Sequence, residues 1–230
     1  MAQKKLQRFA DIKTFANVLE YPEHMPGKWQ AFFKNENPII LELACGRGEY
    51  TIGLSKLFPQ QNFIGVDVKG NRMYIGAKKG LEQQLHNAGF LRTQIERIAE
   101  FFAPGEVDEI WITFPDPQLR ISKAKKRLTH PRFLRLYQKF LKPSGVIHLK
   151  TDSPDLYDFT KKVIDMYGLT MIADHDDVYS QPNIAEELTI KTHYESLDIA
   201  QSNTIHYLKF ALPAVIKNID DQLQEQLRNE

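Results

Sequence analysis

Strand-length apolar runs at residues 38–43, 62–66, 90–95, 107–114 and 146–149 are interleaved with helix-periodic segments. This alternation constrains the fold of the 230-residue chain more than any other feature. Residues 49–57 carry Ile52, Leu54 and Leu57 at near-helical spacing, and Pro59 stops them. Residues 71–87 place Met73, Ala77, Leu81 and Leu85 on one stripe, with Gly89 behind. A third helix is expected at 130–141, introduced by Thr129 with Pro131 at its start. A fourth is expected to be capped by Ser153 and to reach about Tyr167, and Lys142-Pro-Ser-Gly145 reads as a turn. Further strands at 169–173 and 205–212 bring the expected number to seven. The pattern predicts an α/β fold, a mostly parallel sheet with helices on both faces. Residues 1–35 read as an N-terminal arm or cover and 216–230 as a tail, which leaves 36–215 as the domain.

Two of the apolar runs end in loops that carry a carboxylate: Leu41-Glu-Leu-Ala-Cys-Gly-Arg-Gly48 and Ile112-Thr-Phe-Pro-Asp-Pro117. In open α/β sheets, ligands bind outside the carboxyl ends of the strands. Gly46 and Gly48 permit close backbone approach, but the third glycine of a dinucleotide fingerprint is replaced by Thr51. Glu42, ahead of the loop, disfavours a pyrophosphate and favours an amine or a sulfonium. Asp67 closes the second strand, where an acid accepts hydrogen bonds from ribose hydroxyls. Gln94 closes the third, where an adenine would lie. Acid, paired glycines and a ribose acid form the pattern of S-adenosylmethionine binding.

Charge is nearly balanced overall, but from Pro117 to Thr151 there are ten Lys/Arg and no Asp or Glu. Such a segment is either a solvated helix face with its loop or a surface for a polyanion, of which nucleic acid is the first candidate. A single cysteine, Cys45, excludes an internal disulfide framework and a cysteine-cluster zinc site, and no metal is expected. Apolar runs are too short to span a bilayer and the basic N-terminus lacks a signal-peptide core, so a cytoplasmic location without membrane attachment is expected. The connection 174–203 is long enough to be functional.

The stretch from about residue 38 to 210 resembles the tRNA (guanine-N7)-methyltransferase family of class I methyltransferases. The resemblance rests on Leu41–Gly48 above, Phe63-Ile-Gly-Val-Asp67, Phe114-Pro-Asp-Pro117, Lys126-Arg-Leu-Thr129, His148-Leu-Lys-Thr-Asp152 and Thr192-His-Tyr-Glu195. It implies a Rossmann-like fold and an enzyme that moves a methyl group from S-adenosylmethionine to N7 of guanine 46 in the variable loop of tRNA. An exocyclic-amine nucleic-acid methyltransferase, or a non-catalytic tRNA-binding subunit that keeps the fold, are the alternatives.

Glu42, Gly46, Gly48, Asp67, Gln94 and Asp116 are the expected cofactor set, and Asp116, able to hold the Watson–Crick edge of guanine as a bidentate acceptor, is the catalytic candidate. Arg120, Asp152, Thr192, Tyr194 and Glu195 are implied at the substrate. Lys123, Lys125, Lys126 and Arg127 are expected on tRNA phosphates. No obligate protein partner is inferred. The sequence departs from the family pattern in three places: Pro117-Gln-Leu-Arg120 replaces Pro-Trp-Pro-Lys, Ala44 stands for a glycine, and Gln94 for an aspartate.

Overall fold

The computed structural model describes residues 2–193, 195–197 and 204–229. Its centre is one sheet of eight strands in the order β1-β4-β3-β2-β5-β6-β8-β7. In chain order these are β1 (Val18–Glu20), β2 (Ile39–Leu43), β3 (Asn62–Asp67), β4 (Ala88–Arg92), β5 (Val107–Thr113), β6 (Leu141–Thr151), β7 (Thr170–His175) and β8 (His206–Ala211). Every pairing is parallel except those of β8, which runs antiparallel between β6 and β7. Burial explains the order. All residues of β2 and β3 are buried, as befits central strands covered on both faces, whereas β7 alternates exposed and half-buried positions at an edge.

Among the described residues, seven α-helices accompany the sheet: α1 (Ala2–Asp11), α2 (Trp29–Phe33), α3 (Glu49–Leu57), α4 (Gly70–Glu82), α5 (Pro131–Tyr137), α6 (Pro154–Tyr167) and α7 (Asp220–Arg228). The largest apolar cluster joins α2, α5, α6 and α7 to one face of the sheet, and smaller clusters involve α3 and α4. The described part of the N-terminal segment, residues 2–35, supplies the eighth strand, β1, in register with β4, and buries Trp29 completely. The Trp29 indole donates to Phe101 O at 2.8 Å and stacks on Phe102. In the tail, Leu223 and Leu227 are buried, and Asp220 pairs with Arg135 and accepts from Tyr167 Oη.

Helix α6 has the expected bounds: Ser153 Oγ accepts from Leu156 N–H, Pro154 opens the helix and Gly168 closes it at φ +67°. Elsewhere tertiary contacts override local pattern. The predicted helix at 71–87 ends at Glu82, because the Asn87 amide is drawn to the carbonyls of Ser55, Phe58 and Gln61. The predicted helix at 130–141 ends at Tyr137, and its cap is His130 Nδ1, not Thr129, whose hydroxyl pairs with that of Thr160. The expected turn at 142–145 is an excursion inside β6, whose pairing skips from Leu141 opposite Val107 to Val146 opposite Glu109.

Candidate active site

Neighbouring connections diverge between β2 and β5, since β3 lies on one side of β2 and β5 on the other. A cavity of about 880 Å³ opens there, within the range of small-molecule sites. It is lined from the carboxyl ends of five strands: Ala44 and Gly46 after β2, Asp67 to Lys69 at β3, Thr93 to Glu96 after β4, Phe114 to Leu119 after β5, and Asp152 to Asp155 after β6. Arg72, Lys126, Leu128 and Phe133 complete it. Of the expected residues, Gly46, Asp67, Gln94, Asp116, Asp152 and Lys126 therefore share one cavity.

The β2 loop takes its shape from left-handed backbone at Ala44 (φ +56°), Gly46 (φ +56°) and Gly48 (φ +70°). Gly48 does not line the cavity. A Cβ there would sit 2.6 Å from the Phe90 ring, so the glycine serves the packing of α3 on β4. Asp67 fixes the loop from below: Gly46 N–H donates to one carboxylate oxygen at 3.0 Å and Lys69 N–H to the other at 2.8 Å. A carboxylate has about four acceptor sites, so both oxygens keep capacity for a diol.

Glu42, expected at the cofactor, is not a lining residue. It is buried beneath the loop, where it accepts from Thr51 N–H at 2.7 Å, Thr51 Oγ1 at 2.5 Å and Thr113 Oγ1 at 2.9 Å. Gly48 has no side chain with which to cap α3, and Glu42 satisfies that helix's first turn instead. Burial pushes its carboxyl from 4.5 up to about 7, against the three hydrogen bonds that favour the charged form. Between those values the folded chain holds a proton that the unfolded chain has lost. Stability is therefore expected to fall as pH rises through that window, by about 3 kcal/mol in total from this group. Glu42→Gln cannot ionise, so in urea melts its stability relative to wild type should rise by about that amount from pH 5 to pH 8. Parallel pH dependence in the two proteins would refute a titrating Glu42.

The β5 loop is stiffened by Pro115 and Pro117, with Phe114 (φ +46°) and Gln118 (φ +49°) both left-handed. Asp116 stands exposed at the cavity mouth and accepts from Gln118 N–H at 3.0 Å. Arg127 is a correction. Only 5% exposed, it cannot reach a phosphate; its guanidinium donates to Pro117 O at 3.1 Å and Gln118 O at 3.3 Å and lies over the Phe159 ring. The three lysines of the block, Lys123, Lys125 and Lys126, are exposed, and Arg120 is exposed just outside the cavity lining.

Thr192 and Glu195 are also placed differently from expectation. Glu195 N–H donates to Thr192 Oγ1 and Thr192 N–H to Glu195 Oε2, a reciprocal cap of the short helix that follows. The Glu195 carboxylate pairs with the Lys150 ammonium and receives the Tyr179 hydroxyl. Neither Thr192 nor Glu195 lines the cavity. Tyr194 lies outside the described residues.

Sequence reasoning missed Thr93. It was expected inside a strand at 90–95, but β4 ends at Arg92, and Thr93 Oγ1 is buried at the cavity wall with no hydrogen-bond partner among the described residues. An orphaned hydroxyl beside Gln94 and Ile95 is a ready contact for an adenine or ribose. Asp67 with spare acceptor sites, the open glycine turn and this hydroxyl together fit a nucleoside sulfonium.

A family model described as "Putative methyltransferase" matches residues 36–208. A tRNA (guanine-N(7)-)-methyltransferase of Bacteroides thetaiotaomicron is 48% identical over 222 residues, covering 93% of this chain and 87% of the relative. One from Porphyromonas gingivalis is 49% identical over 213 residues, covering 87% of this chain and 86% of the relative. Among solved structures, the 16S rRNA methyltransferase KamB superposes with a TM-score of 0.62 at 15% identity, covering 84% of this chain and 96% of that one, a likeness of fold. With its sheet order, its cavity and these relatives in agreement, the chain belongs to the tRNA (guanine-N7)-methyltransferase family of class I, S-adenosylmethionine-dependent methyltransferases.

Proposed function

We infer that this enzyme methylates N7 of a guanine in tRNA, and that its target is the variable-loop guanine at position 46. The observation that carries the reading is the convergence of Asp67, Asp116 and Asp152 on one cavity, with exposed Lys123, Lys125 and Lys126 following its mouth in the chain.

S-adenosylmethionine, when bound, supplies a methyl group made electrophilic by its sulfonium. Asp67 would hold the ribose hydroxyls and Thr93 and Gln94 the adenine side. Guanine N7 carries a lone pair and no proton, so no residue has to act as a base. Asp116 would accept from the ring N–H and the exocyclic amine of guanine, with Asp152 on the same rim. Methylation places positive charge on the base and makes those N–H groups stronger donors. The Asp116 contacts therefore strengthen in the transition state, which is the condition for a binding interaction to raise rate. To reach the cavity the base must leave its stack. A cytoplasmic place of action accompanies a tRNA substrate, and among the described residues no helix is long and apolar enough to cross a membrane.

The direct test is incubation with S-adenosylmethionine and unmodified tRNA, followed by digestion and identification of the methylated nucleoside. 7-Methylguanosine that disappears when guanine 46 is replaced supports the reading, and methyladenine or methylcytosine overturns it. The lysines make a separate prediction. Lys123→Glu with Lys125→Glu should weaken tRNA binding and reduce the slope of log K against log salt by about 1 to 2, since each phosphate contact contributes roughly 0.7 to 0.9. An unchanged slope would remove these two lysines from the tRNA surface.

A further inference from the structure

Lys150 is fully buried in the last, fully buried stretch of β6, between Leu149 and the Thr151 that precedes Asp152. Its ammonium donates to Leu188 O at 2.8 Å, Ile190 O at 3.1 Å, Glu195 Oε2 at 3.2 Å and Tyr179 Oη at 3.4 Å. The rings of Tyr50, Phe114 and Tyr179 surround it at 5.4 to 5.6 Å. Four of these partners belong to the connection between β7 and β8, and Phe114 belongs to the Asp116 loop.

We propose that Lys150 is a positioning residue for substrate recognition, fixing Leu188, Ile190 and Glu195 against the sheet so that Glu195 is presented beside the Asp116 loop. This rests on the functional reading above and deepens it: Glu195, implied at the substrate by the family resemblance, does not itself line the cavity, and its pairing with Lys150, which also meets the Phe114 ring, sets it next to the Asp116 loop. Taking an ammonium out of water is costly, and burial lowers its basicity here even with Glu195 alongside. An apolar side chain of similar length would fill the space without that cost, so packing alone does not account for a lysine. What an apolar chain cannot do is hold two main-chain carbonyls and a carboxylate at one point. Each of those partners lies 38 to 45 residues away in sequence. Tyr179 Oη, which donates to Glu195 and accepts from Lys150, closes the triangle.

The test is a double-mutant cycle read as kcat/KM for tRNA, with S-adenosylmethionine affinity and melting temperature measured on the same preparations. Lys150→Met is expected to lower kcat/KM by about 30-fold or more at a temperature where it is fully folded, with S-adenosylmethionine affinity within about threefold of wild type. In a Glu195→Gln background the same substitution should cost less than about threefold more. Tyr179→Phe, on a partly exposed side chain, provides a milder arm: a loss of about five- to tenfold that also vanishes in the Glu195→Gln background. Equal losses in both backgrounds would make Lys150 a stability residue only. A neutral Glu195→Gln beside an impaired Lys150→Met would show that the lysine does not act through Glu195. Either outcome overturns the proposal, and the wild-type yield of 7-methylguanosine, taken alongside, separates these failures from failure of the functional reading.

Discussion

Asp116→Ala is expected to lower turnover on tRNA by at least about 100-fold, while tRNA affinity and S-adenosylmethionine affinity each change by less than about threefold. The size of the effect follows from where the carboxylate stands. It is exposed at the cavity mouth on a loop with two prolines and two left-handed residues, so its position is prepared before substrate arrives. Its loss removes a contact that strengthens as charge develops on the base and also releases the base from alignment, and misalignment alone costs about 100-fold. Most tRNA affinity comes instead from phosphate contacts elsewhere, so binding is spared. Asp116→Asn should recover part of the rate, because an amide oxygen can accept one of the two bonds. Single-turnover rates and filter binding on the same preparations check the division. Unimpaired turnover in Asp116→Ala would remove the residue from the site.

Arg127→Met is expected to have the second-largest effect, through the same loop. The guanidinium serves the carbonyls of Pro117 and Gln118 and lies over Phe159 of α6. Methionine keeps the volume over the ring but leaves two half-buried carbonyls unpaired, a cost of about 1 to 3 kcal/mol in all, below the penalty for fully buried groups. The chain can relieve that cost by letting the loop move, so both readouts should change. We expect a lower melting temperature and a loss of about 10- to 100-fold in kcat, with the salt dependence of tRNA binding unchanged. The salt slope decides between roles, since a residue that gripped a phosphate would lower it by about 0.7 to 0.9.

The alternation of strands and helices and the loops at the sheet's carboxyl edge were legible because they follow from local pattern. Mostly apolar runs mark β2 and β3, and Ser153 marks the start of α6. Where the reading slipped, a distant partner decided the outcome. In the run Lys123 to Arg127 the basic residues look alike, and only the folded path of the Pro117–Gln118 loop brings carbonyls within reach of Arg127. Glu42 has the family's position for a cofactor acid, yet Thr51 and Thr113 claim both of its oxygens. Glu195 stood out in the sequence only through the family motif and not as Lys150's partner, since 45 residues separate them. A lysine between Leu149 and Thr151, late in a strand that is buried from Ile147 onward, was the available signal for that pair. The edge strand β1 is three residues long and carries no alternation that a sequence pattern could detect.

The single reversed strand has a consequence for how such a protein can change. Because β7 climbs to the ligand edge and β8 descends from it, with His175 opposite Tyr207, both ends of the intervening connection are pinned as neighbours at that edge. An insertion there leaves every strand pairing intact and adds only loop-closure entropy, about 0.6 kcal/mol for each doubling of length. A crossover to a parallel neighbour would instead have to begin and end at opposite edges of the sheet, under a helix. Recognition of a new RNA can thus be acquired between residues 175 and 206 by lengthening or rewriting one segment, while the sheet and the cofactor loops keep their register.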